Sequence, residues 1–67
     1  KRMNDDGLKA ELETLKVEHR DLDDAIFVLS RQPVVDQLQI ARLKKKKLAL
    51  KERIIRIEDQ LLPDIIA

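Results

Sequence analysis

The apolar positions of this chain fall into two runs of heptad rhythm separated by one break. Leu8, Leu12, Leu15, His19, Leu22, Ile26 and Leu29 step by four and three residues, with charged residues between them. At about 100° per residue this spacing keeps one stripe on one side of a helix, and over three heptads such a stripe reads as a coiled-coil seam. It predicts a first helix over residues 5–29. Asn4, Asp5 and Asp6 offer N-cap oxygens and suitable negative charge at its start. Its end, residues 25–29, is apolar all round, so cover on more than one side is expected there.

The break is Ser30, Arg31, Gln32 and Pro33. Proline cannot continue the first helix but fits the first turn of another. This predicts a turn at residues 30–33 and a second helix over 33–62, capped by Ser30 or Gln32, with Asp36 in its first turns. Pro63 ends it and leaves residues 63–67 as a tail.

The second helix organises the rest. Ile40, Leu43, Leu50, Ile54, Ile57 and Leu61 form one row, with Lys47 in line. Ala41, Leu48, Ile55 and Leu62, seven apart and followed by Ile66, form another row about 130° away. A helix with one neighbour needs one stripe. Two stripes call for two neighbours, and a short link between long helices makes them antiparallel. The expected fold is therefore all-α: an antiparallel two-helix coiled-coil hairpin that self-associates into a helical bundle through Ala41, Leu48, Ile55 and Leu62. A dimer is the first choice because two-fold symmetry is commonest, with trimer or tetramer open.

Composition strengthens that expectation. Sixty-seven residues make one domain, too small to bury a large core alone. With no cysteine, neither disulfides nor thiolate metal sites can staple it, which fits a reducing compartment and an expected cytoplasmic location. No leader-like stretch and no apolar run of membrane-spanning length is seen. Residues 1–4 are expected to be disordered or, since Lys1 and Arg2 precede Met3, added ahead of the native chain. Charged residues are 40% of the total, the composition of long helices, while the net charge of +1 sets up no overall field for nucleic acid or membrane. The first helical stretch carries eight acids and three bases, the second eight bases and four acids. Opposite signs favour pairing within the hairpin over pairing of like helices.

Folding about Pro33 pairs Ile26 with Ile40, Leu22 with Leu43, Leu15 with Leu50, Leu12 with Ile54 and Leu8 with Ile57. His19 then meets Lys47, the one polar residue in each seam. Polar seam residues commonly fix register and oligomer number, and that is the role expected of this layer. His19 is expected to hydrogen-bond Asp23 or Glu18, beside the aliphatic stem of Lys47. His19 and Asp23 lie one turn apart, but two ligands make no metal site, and no metal or other cofactor is expected.

Lys44 to Lys47 suggest nucleic acid, yet four consecutive helical residues ring the helix and do not line one face. The outward basic row is Arg42, Lys45, Lys46, Arg53 and Arg56, bordered by Glu52 and Asp59. Phe27 is the only aromatic, so there is no platform for stacking bases. Weak nucleic-acid binding through that row is the runner-up. In the tail, Ile65 and Ile66 are expected to pack within the assembly. No nucleophile–base set and no glycine-rich phosphate loop is present, so an enzyme is not expected; the leading expectation is a structural or protein-interaction module whose outside partner is unknown.

The segments EHRDLDDAI at residues 18–26, DQLQIARLKKKKLALKERI at 36–54 and EDQLLPDIIA at 58–67 resemble the YdcH-like family of small bacterial proteins, a domain of unknown function. The most specific part is Leu-Lys-Lys-x-Lys-Leu-x-Leu-Lys at 43–51. Glu52 and Arg53 depart from a common Asp-Glu in that pattern, and the PDIIA ending is similar to an alphaproteobacterial branch. The resemblance implies a cytoplasmic, all-helical protein without known catalytic activity, and it brings no established ligand and no site residues.

Overall fold

The computed structural model describes residues 5–61 and comprises α1 (Asp5–Ser30), a connection over 31–36, and α2 (Gln37–Leu61). The two helices pack against one another along their length as an all-α hairpin, with no strand among the described residues. Residues 1–4 and 62–67, and with them the expected cap at Asn4, the interface residue Leu62 and the tail, lie outside the described residues.

Burial follows the heptad seams residue by residue. Leu15, Ile40 and Ile57 are buried. Leu8, Leu12, His19, Leu22, Ile26, Leu29, Leu43, Lys47, Leu50, Ile54 and Leu61 are half-buried. Every described member of the two facing seams is thus at least partly covered, while Val17, Leu48 and Ile55, outside the seams, are exposed. Ile57, only 2% exposed, is the deepest side chain, and burying an isoleucine this fully stabilises by about 1.5–3 kcal/mol.

The hairpin is a rod of 52 × 22 × 15 Å, with a radius of gyration of 15.5 Å against about 11 Å for a compact chain of this length. Its accessible surface, 5586 Å², exceeds the about 4,400 Å² of a globular chain of this size. Two helices form a single layer, so only the stripe between them leaves water.

The second helix begins four residues later than the proline suggested. Asp36, not Ser30 or Gln32, is its N-cap: the Gln39 amide donates to Asp36 Oδ1 at 3.1 Å. The Ile40 amide donates to the Asp36 carbonyl at 3.1 Å, closing the first α-helical turn. Ser30 and Gln32 instead finish α1. The Ser30 hydroxyl donates to the Phe27 carbonyl at 2.8 Å, and Gln32 Nε2 donates to the Val28 carbonyl at 3.4 Å. The Arg31 and Gln32 amides donate to the carbonyls three residues back, at 3.2 and 3.3 Å. These bonds satisfy carbonyls that a helix end otherwise leaves open, without a positive-φ residue anywhere among the described residues.

At the end of α1, Phe27 and Val28 are turned away from the seam and remain 60% and 54% exposed, so the all-round cover expected there is not provided within one chain. The Arg31 guanidinium lies 5.0 Å over the Phe27 ring and screens one face of it.

Candidate functional surfaces

The hairpin has two flanks, and the structure assigns different chemistry to each. On one flank acids of α1 face bases of α2. Arg53 donates from Nε and Nη2 to Glu11 Oε2 at 2.8 and 2.5 Å. A shallow groove nearby is lined by Glu18, Asp21, Leu22, Lys46 and Leu50. Arg53 and Lys46, two members of the outward basic row, are thus placed beside acids of α1. Arg42, Lys45 and Arg56, the other three, are exposed.

On the other flank Lys47 Nζ donates to Asp23 Oδ1 at 2.6 Å. His19 Nδ1 stands 3.9 Å from Asp23 Oδ2, within ion-pair range but too far for a hydrogen bond. The expected layer therefore exists as two half-buried polar residues of opposite seams, but the group that connects them is Asp23. The Lys47 stem lies in the seam and its ammonium reaches toward the connection to find a carboxylate. That hydrogen bond outweighs the opposing effect of desolvation and, with the charges of Lys47, His19 and Lys51, holds the Asp23 carboxyl below its ordinary value of 3.8. Farther along, Lys16 Nζ lies 3.8 Å from Glu58 Oε2.

The second apolar row lies on this flank by helical rotation. Leu48 and Ile55 are 56% and 47% exposed, and Ala41 is exposed as well. The structure thus leaves the described part of the row uncovered. Sequence reasoning missed Asp23 as the partner of Lys47 and Glu11 as the partner of Arg53. The opposite net charges of the two helices were the available signal, but they name no pairs.

Among the described residues no group of three His, Cys, Asp or Glu side chains could hold a metal ion. No described helix is long and apolar enough to cross a membrane.

Residues 12–58, most of the hairpin, match a family model described as "Protein of unknown function (DUF465)". The chain belongs to the DUF465 family. The matched span holds the Lys16–Glu58 pair, the His19–Asp23–Lys47 group and the Leu48–Ile55 row, while Glu11, the partner of Arg53, lies one residue before it. No curated protein and no solved structure matches the chain significantly.

Proposed function

We propose that this DUF465 protein is a non-enzymatic structural or protein-interaction module that acts by self-association through Ala41, Leu48 and Ile55, continued in sequence by Leu62. The observation that carries this reading is the exposure of Leu48 and Ile55, 56% and 47%, on a helix whose other apolar row is covered. Apolar residues repeated every seven along one helix face have a coiled-coil partner as their natural cover. A dimer remains the first choice. The same reading places the protein in the bacterial cytoplasm, in the branch with the PDIIA ending, and leaves the identity of any outside partner open.

Sedimentation equilibrium of the wild type and of the Leu48→Glu/Ile55→Glu variant tests it. The wild type should sediment as an oligomer. The variant should sediment as a monomer with much of its helix content retained by circular dichroism. An unchanged mass would reject the row as an interface.

The runner-up, weak nucleic-acid binding, rests on exposed Arg42, Lys45 and Arg56. It is disfavoured by the engagement of Arg53 with Glu11 and by the acids beside Lys46. Binding of this kind is electrostatic, so an electrophoretic shift with random duplex or RNA should appear at low salt and fade steeply as salt rises. No shift at low salt would eliminate it.

A further inference from the structure

We infer that the partner of the Leu48–Ile55 row is a second copy of this chain in antiparallel orientation, its α2 running against the first. The inference rests on the self-association proposed above and adds its direction. Two columns of charged residues flank the row at heptad spacing. One is Lys44, Lys51 and Glu58; the other is Lys45, Glu52 and Asp59. Both columns change from basic to acidic along the helix. Lys44, Lys45, Lys51, Glu52 and Asp59 are exposed; Glu58, half-buried, is shared with Lys16 at 3.8 Å.

In an antiparallel two-fold pair each column faces the same column of the other copy. With Leu48 level with Ile55 of the second copy, Lys44 stands opposite the other Glu58 and Lys45 opposite the other Asp59, each twice by symmetry. Only the middle is unfavourable, where Lys51 meets Lys51 and Glu52 meets Glu52, and those four charges sum to zero. A parallel pair reverses this balance. Lys44 then faces Lys45, Glu58 faces Asp59, and only Lys51 with Glu52 attract. The helix dipoles favour the antiparallel pair as well. Each exposed pair is weak, so these charges select orientation while Leu48 and Ile55 supply the burial.

The chain has no cysteine, so single cysteines can report on direction. Lys45→Cys and Asp59→Cys chains are mixed, oxidised mildly and separated by mass. The antiparallel pair gives the mixed 45–59 disulfide and little of the 45–45 product. A dominant 45–45 product, or a dimer by sedimentation that yields neither disulfide, overturns the orientation and leaves self-association standing. A monomer at every concentration overturns both. In parallel, Lys44→Glu/Lys45→Glu should weaken association about tenfold or more at low salt, and adding Glu58→Lys/Asp59→Lys should restore it. Unchanged association in the first variant also overturns the orientation.

Discussion

Asp23 of α1 holds Lys47 of α2 across the hairpin at 2.6 Å, one helical turn from the position that heptad spacing alone assigns to the lysine's partner. The carboxylate therefore ties together the only polar residues of the two seams, and its titration becomes a property of the fold.

The pH dependence follows from the sign of that effect. The Asp23 carboxyl is held below 3.8, chiefly by its hydrogen bond with Lys47. Folding thus favours the charged form, so the contribution is complete above the ordinary carboxylate value and disappears as pH falls through the lower folded value. Asp23→Asn should unfold at lower urea concentration than wild type at pH 7, and the gap should close in strongly acidic solution. Urea midpoints at the two pH values measure this; an equal gap at both would show that the charge is not involved.

The layer itself can be replaced. His19→Leu/Lys47→Leu converts both seams to continuous apolar stripes. Replacing polar seam residues with apolar ones generally raises stability and loosens control of assembly. The melting temperature should rise by several degrees, and sedimentation should show a changed or mixed oligomer. If neither moves, the layer specifies nothing.

Asp36→Ala removes the one side chain that caps α2. Loss of such a cap costs about 1 kcal/mol, which in a domain this small lowers the melting temperature by about 4–8 °C. Asp36→Ser, which keeps a capping oxygen, should recover most of it. Thermal melts at one fixed protein concentration give the comparison.

Two isoleucines two residues apart separate folding from assembly. Ile57→Ala empties a site that is 2% exposed and should cost about 2–5 kcal/mol, enough to abolish most helix signal in a chain of this size. Ile55→Ala, at a site 47% exposed, should leave the hairpin largely folded and weaken association. Circular dichroism at low concentration reads the first effect and sedimentation the second.

The seams were legible because burial in a two-helix rod has only one period to follow. From Leu8 to Leu61 each seam position read from spacing is buried or half-buried. The start of α2 was misread because Pro33 satisfies one helix-start rule while Asp36, with Gln39 three residues on, satisfies a stronger one. That Asp-x-x-Gln spacing resembles a capping box and was available in the sequence. The ion pairs were not legible. Whether Lys47 reaches His19 or Asp23, and whether Arg53 finds Glu11, depends on the rotation of both helices about their axes, which spacing on either helix alone does not define.

The deepest side chain, Ile57, sits at the end of the rod farthest from the covalent link. A hairpin gripped this way should resist opening at the end that holds Ile57. Its weak point is the bend at 31–36, where Val34 is 86% exposed. A protease should nick that bend first, and the two fragments should stay clasped afterwards, behaving in solution as one particle until denaturant is added.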